Sequence, residues 1–369
     1  MRVRKIAFVL KWPLSYNGGG ENWLKNVILE LHNSGHQIDI YLPEFYKVDD
    51  EMFNGYPYIR YRHYRSALAT LMRKLRLENF SWPFIGFKME ERYDVIYIPS
   101  IYAWRFYLGP KGTKRIFGTH DFYHSNWRIS RDIFILLFVA FLKILENENI
   151  FVHCIDRKIQ SNLSFMGVRA ILIENSPYAV PSTPIDDGNF NVLFMNVINR
   201  RKGYKYLPEL MDYFGKVKKG TFLIAGKADD KATEVLIKKE NPCTRYLGYV
   251  DEKMKKDLLQ KASLFLLLSD REAGFPSSML DSLRNGVPVL SSWNPISEIL
   301  DEGFLESGAI SIVKRSIKDI IEGIERFEGL WFEDRTKYIE MRYSIMENSN
   351  SRFDREKQLK KIVRMFEEV

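Results

Sequence analysis

Two carboxylates, a basic trio and one histidine are the side chains best equipped for chemistry in this sequence: Glu272 and Asp281, then Arg200, Arg201 and Lys202, and His120. Glu272 lies in a polar, glycine-containing turn, Ser269 to Pro276, which follows the continuous apolar run at residues 264–268. That run is short enough to be one strand buried on both faces. After the turn, Ser277 and Ser278 stand where helix caps belong, and Met279, Leu280 and Leu283 share one helical stripe. Asn285-Gly286 stops the helix, and residues 287–290 read as the next buried strand. Strand, loop, helix and strand make the βαβ unit of a doubly wound sheet. In such a unit the loop at the strand's carboxyl end faces the ligand crevice, and the helix start offers free N–H groups to anions. Carboxylates beside an anion-binding helix start suit a ligand carrying both hydroxyls and phosphates, of which a nucleotide-sugar is one.

The basic trio sits in Asn199-Arg200-Arg201-Lys202-Gly203, after the apolar strand pattern at 190–196 and before a helix at about 204–213. Fixed cations facing a departing diphosphate lower the barrier to its release. His120 follows a short strand pattern at 116–119 and precedes Asp121, so it falls at a strand's carboxyl end, the side on which ligands bind. A strand at 5–10 leads through Gly18-Gly19-Gly20 to a helix at about 22–34 and a second strand at 36–42. Three consecutive glycines permit close backbone approach, but they are not the G-x-G-x-x-G fingerprint of dinucleotide sites.

The elements that must position these groups fit a chain of 369 residues, long enough for two domains. With 46% hydrophobic and 28% charged residues and no low-complexity tract, the composition is globular. A formal net charge of +8 favours anionic partners. The two cysteines, Cys154 and Cys243, lie far apart, which argues against a disulfide framework or zinc site and for a reducing, cytoplasmic compartment. The longest apolar run, 133–142, is shorter than a membrane span and reads as part of a buried helix. From Arg60 to Lys88 the chain is basic and aromatic, either a surface helix or a patch for peripheral contact with the inner face of a membrane. No nucleic-acid-binding motif is present.

The stretch Gly274-Phe275-Pro276 through Gly286-Val287-Pro288-Val289 resembles the donor-site signature of the GT-B glycosyltransferases, in particular family 4 of retaining, group 1 enzymes. Further likeness lies in Lys202-Gly203, in Gly226 closing a strand at 221–226, and in Tyr246-Leu247-Gly248-Tyr249. The resemblance implies an α/β GT-B fold: two Rossmann-like doubly wound parallel-sheet domains facing a central cleft. It implies an acceptor-binding domain at 1–180, entered in the family's order and closed by Asn175, and a nucleotide-sugar domain at 181–350. A proline- and acid-rich linker lies at 177–187, and a terminal helix at 351–369 crosses back toward the first domain. The implied reaction is transfer of a sugar from a nucleotide-diphosphate-sugar to an acceptor hydroxyl with retained configuration, in glycan, polysaccharide or glycolipid synthesis. By the same resemblance, Lys202 with Arg200 or Arg201, and the helix start at Ser277-Ser278, take the diphosphate. Glu272 holds sugar hydroxyls, Asp281 the ribose, and His120 the sugar near the reacting carbon. Gly19, Gly20, Gly226, Gly274, Phe275 and Pro276 line the donor site.

Three departures from the signature stand out. Ala273 occupies the first glutamate position, with Glu272 one residue early; Asp281 replaces the second glutamate; and Val197 replaces the arginine. No metal or other cofactor is expected, the donor being a substrate and the cations coming from protein. The partners expected are a nucleotide-sugar donor and a glycan or lipid-linked acceptor. The departures keep a non-catalytic, nucleotide-sugar-binding or scaffold relative in play. A sugar-nucleotide epimerase would act without acceptor, and a nicotinamide dehydrogenase lacks its fingerprint.

Overall fold

The computed structural model describes residues 3–16, 19–46, 53–64, 89, 91–100, 113–120, 139–140, 149–177, 179, 181–217, 219–270, 272–292 and 307–369. Two compact units emerge. One runs from the amino terminus to Asn175 and includes Glu356–Val369; the other is Ser176–Arg355. Asp121, the remainder of the basic-aromatic stretch from residue 65 to 88, and Trp293-Asn294-Pro295 lie outside the described residues, as does most of the helix expected at 133–145.

In the first unit seven strands pair in parallel: β1 (Lys5–Val9), β2 (Gln37–Pro43), β3 (Ile59–Tyr64), β4 (Val95–Ile98), β5 (Lys114–Gly118), β6 (Ile150–Cys154) and β7 (Ala170–Leu172). Their order is β3-β2-β1-β4-β5-β6-β7. Strands β1 and β4 are runs of buried apolar residues rather than alternating ones, as a parallel sheet covered on both faces requires. They lie side by side with Phe8 opposite Tyr97. The terminal helix, Arg355–Glu368, packs on this unit: the Phe366 ring lies 5.6 Å from both Phe8 and Tyr97, and the Arg4 guanidinium donates to the Val369 carbonyl at 2.8 Å.

The second unit repeats the plan with β8 (Asn191–Met195), β9 (Thr221–Ala225), β10 (Thr244–Gly248), β11 (Leu264–Leu267), β12 (Val289–Ser291) and β13 (Ile310–Ile312), in the order β10-β9-β8-β11-β12-β13. All pairings among these strands are parallel. Alternate residues feed two cores. Leu193, Met195, Phe265, Leu267 and Val289 enter one; Val192, Phe194, Leu264, Leu266 and Leu290 enter the other. The connection between β10 and β11 is a helix, Glu252–Lys261, whose start is capped by Asp251 accepting from the Met254 N–H at 2.7 Å. The expected doubly wound α/β architecture is therefore present in both units.

Local boundaries differ from expectation in three informative places. Gly19 and Gly20 are not a turn but the first residues of the helix Gly19–Asn33, with Glu21 in its first turn where a carboxylate favours the helix dipole. Residues 204–206 form a 3-10 turn before the helix Leu207–Val217 begins, because Gly203 takes a left-handed conformation (φ 91°) that displaces the helix start. Ser277 and Ser278 are not caps: Pro276 flanks the helix Ser277–Arg284, and no side chain caps its start.

Candidate functional site

In the second sheet the strand order reverses between β8 and β11, the switch point at whose carboxyl ends a doubly wound sheet binds its ligand. The basic trio and the acidic turn meet there. The 3-10 turn Arg200–Lys202 is capped by Asn199, whose side chain accepts from the Lys202 N–H at 3.0 Å. The Arg201 carbonyl accepts from the Asp270 N–H at 2.7 Å, which ties one loop to the other. Gly203 follows, packed so tightly on the end of β11 that a Cβ would sit 2.4 Å from Leu268 Cβ. Only glycine serves at that close approach and positive φ.

This stitching buries Lys202 and Glu272, at 8% and 5% exposure, and brings Lys202 Nζ into contact with Glu272 Oε1. Arg201 adds a longer contact, 3.4 Å to Glu272 Oε2. Glu272 is thus the carboxylate beside the lysine, in a turn where Gly274 takes φ 65°. Burial lowers the Lys202 pKa from its usual value, and the Glu272 charge works against that shift. Arg200 and Val197 are exposed, so of the two arginines Arg201 is the one at the pair.

Other expected site residues divide into backbone contributors and core. Gly226 (φ 137°) closes β9 so near β8 that a Cβ would overlap the Asn196 carbonyl oxygen at 1.8 Å, and its carbonyl accepts from Tyr246 at 3.0 Å. Ser277 and Ser278 are half-buried at the helix start. Phe275, at 1% exposure, faces the core: its ring lies 5.3 Å from Phe353. Pro276 is likewise buried. Asp281, expected at the ribose, is engaged elsewhere. Its Oδ1 accepts from the Ala179 N–H at 2.8 Å, and its Oδ2 lies 2.6 Å from Lys255 Nζ, at 1% exposure. One methylene shorter than the family glutamate, it anchors the linker to the helix instead. Burial opposes the Lys255 charge, yet Asp281 raises its pKa overall.

Three groups were not singled out from sequence. Asn196 Nδ2, Ser269 Oγ and Ser292 Oγ are buried without a hydrogen-bond partner among the described residues. They follow β8, β11 and β12, three adjacent strands, at the carboxyl edge. Each unmet group costs about 1–3 kcal/mol, which a bound polar ligand or water would relieve. The available signal was positional: each lies within two residues of the end of a buried apolar strand.

His120 belongs to the first unit and heads a separate cluster. Its Nε2 is 2.9 Å from the Tyr97 hydroxyl, which is also 2.9 Å from His153 Nδ1. His153 Nε2 donates to the Ile173 carbonyl at 3.0 Å. The Trp23 indole packs against both imidazoles, tilted against His120 at a centroid distance of 4.3 Å and stacked on His153 at 5.2 Å. Burial drives the His120 pKa well below its usual value, with a smaller contribution from His153; burial also pushes His153 down to about 4. Both rings are neutral at pH 7.

Residues 179–344 match the family model described as glycosyl transferases group 1. No curated protein sequence matches the chain. Solved structures do, over essentially their whole length. Sucrose-phosphate synthase from Thermosynechococcus elongatus is 13% identical (TM-score 0.70; 100% of this chain and 99% of that one). Anabaena HepE in complex with UDP-glucose is 15% identical (TM-score 0.66; 99% and 100%). S. aureus TarM in complex with UDP and α-GlcNAc-glycerol is 13% identical (TM-score 0.65; 99% and 100%). At these identities the likeness carries the fold, GT-B, and the family model adds a similarity to the glycosyl transferases of group 1 over residues 179–344.

Proposed function

We propose that this chain, a GT-B protein similar to the glycosyl transferases of group 1, moves a sugar from a nucleotide-diphosphate-sugar to an acceptor hydroxyl with retained anomeric configuration. The observation that carries this reading is the buried Lys202–Glu272 pair at the switch point of the second sheet. Lys202 has three N–H donors, so it can hold Glu272 and a diphosphate oxygen together. In the reaction the bond from the anomeric carbon to the diphosphate oxygen breaks. The acceptor oxygen bonds that carbon on the same face, and its proton passes to the departing diphosphate. Lys202, Arg201 and the uncapped helix start at Ser277-Ser278 stabilise the charge that develops. Glu272 takes donor-sugar hydroxyls, and Asn196, Ser269 and Ser292 offer further polar contacts. His120 is read as the contact to the transferred sugar. HepE and TarM were solved with UDP or a UDP-sugar, which supports a donor of that class here.

The reading calls on no metal, so turnover is expected to survive chelation by EDTA. It takes the acceptor as a glycan or a lipid-linked saccharide. No described helix is long and apolar enough to cross a membrane. Peripheral contact through Arg60 to Lys88 is the accompanying proposal, tested by cosedimentation with anionic vesicles.

A panel of UDP-, GDP- and ADP-sugars, scored by thermal shift and by release of nucleotide, tests the donor site. Stabilisation by one member, about 2.7 kcal/mol at a hundredfold excess over Kd, and its loss in Lys202→Ala would support it. A flat panel would overturn it. The exposed Val197 in the arginine position favours a second reading, a nucleotide-sugar-binding relative without activity. Tight binding with no turnover across an acceptor screen would select that one.

A further inference from the structure

The hydrogen bonds around Tyr97 assign each proton in turn. The Ile173 carbonyl can only accept, so His153 Nε2, 3.0 Å away, carries a hydrogen. His153 is fully buried, and a cation there would be costly; the neutral ring therefore has a lone pair on Nδ1. Tyr97 has one hydroxyl hydrogen, and it points to that lone pair at 2.9 Å. The tyrosine oxygen then accepts from His120 Nε2, also at 2.9 Å. Neutral His120 with its hydrogen on Nε2 keeps a lone pair on Nδ1, which no donor among the described residues reaches.

We propose that Tyr97 and His153 are positioning residues that hold His120 as its Nε2–H tautomer, leaving Nδ1 to accept a hydrogen bond from a hydroxyl of the transferred sugar. The sugar contact rests on the function proposed above; the tautomer does not. His120 is then a neutral acceptor, not an acid for the departing diphosphate. The packing around the chain of hydrogen bonds is built for it. At Gly118 a Cβ would sit 2.5 Å from the Tyr97 hydroxyl and 2.9 Å from His120 Cδ2, so a side chain there would break the link. Trp23 packs against both imidazoles, and Phe8 and Phe366 pack on the Tyr97 ring at 5.4 and 5.6 Å. All these groups lie in the first unit.

The chain holds six histidines, few enough to follow individually by long-range 1H–15N correlation after 15N-histidine labelling. In the wild type His120 is expected with hydrogen on Nε2. His153→Phe keeps a ring against Trp23 but removes the acceptor for the tyrosine hydrogen. The Tyr97 hydroxyl then turns to His120 Nε2, and the histidine hydrogen moves to Nδ1. Loss of one neutral hydrogen bond should lower kcat for hydrolysis of the sugar nucleotide selected by the panel above about tenfold, with KM nearly unchanged. Adding Tyr97→Phe to His153→Phe takes away the donor to Nε2 and should restore Nε2–H and several-fold of the lost rate. Damage to packing would not be repaired by a second buried substitution. An Nδ1–H tautomer in the wild type, or a double variant no faster and no different in tautomer from His153→Phe, overturns the proposal. A tautomer that flips as described without change in kcat overturns the sugar contact alone.

Discussion

The two units end their parallel sheets in opposite electrostatic solutions. At the carboxyl edge of the second sheet, Lys202 and Glu272 are buried as ions in contact. At the corresponding edge of the first sheet, His120, Tyr97 and His153 are joined by neutral hydrogen bonds, and burial holds both imidazoles uncharged. Burying a charged pair gains little stability over apolar residues of the same size. Its presence fits the diphosphate of the function proposed above, a ligand that needs charge. A neutral relay fixes hydrogen-bond direction without attracting anions, which suits a hydroxyl. Under the function proposed above, the ionic edge serves the diphosphate and, through Glu272, sugar hydroxyls, while the neutral edge serves a sugar hydroxyl alone.

The largest effect that would sharpen this contrast is Lys202→Ala, expected to lower donor turnover about 10²–10³-fold, as loss of a fixed charge-stabilising donor does. Steady-state release of nucleotide would measure it, and a change under tenfold would break the assignment of charge to the second unit. Next is Asp281→Ala, which leaves Lys255 buried without its partner and unfastens Ala179. It should cost about 3 kcal/mol in denaturant unfolding. The thermal shift given by the stabilising sugar nucleotide should survive, because the carboxylate serves the linker and not the ribose.

The neutral half predicts a pH dependence. His153 has a folded pKa of about 4, below its unfolded value of about 6.5. Below the unfolded value the unfolded chain binds a proton that the folded chain refuses, so its contribution is fully present above about pH 6.5. It is lost as pH falls from there to about 4, on the order of 3 kcal/mol in all. Unfolding free energy measured between pH 7 and pH 4 should fall less steeply in His153→Phe. An equal slope in both proteins would remove the buried imidazole from the account. The smallest contrast is between neighbours. Arg201→Ala, which removes the guanidinium beside Glu272, should raise donor KM several-fold, and Arg200→Ala, exposed, by less than about twofold.

Much of the donor half was legible because its signals are local. The run at 264–268, the glycine turn and Asn285-Gly286 specify strand, loop and helix by burial and backbone preference, and β11 and the helix Ser277–Arg284 fall where they indicate. Glycine rules worked less well at Gly19-Gly20: a glycine run permits a turn but does not forbid a helix that Trp23, Leu24, Val27, Ile28 and Leu31 stabilise by burial. Lys202 and Glu272 were each singled out from sequence, but their contact was not, because the register of a turn depends on the positive φ at Gly274 and on the bond between Asp270 and Arg201.

By itself the sequence determined the βα alternation, the two-unit plan and the residue types at each strand end, since these follow from apolar runs and caps within a dozen residues. Only the tertiary structure decided that Asp281 belongs to Ala179 and Lys255, that Asn196, Ser269 and Ser292 are left unpaired at one edge, and that His120 is tied through Tyr97 to His153. Those partners are separated by up to 102 positions along the chain. Strand order brings them together, and no local pattern encodes which side chain a neighbouring strand will present.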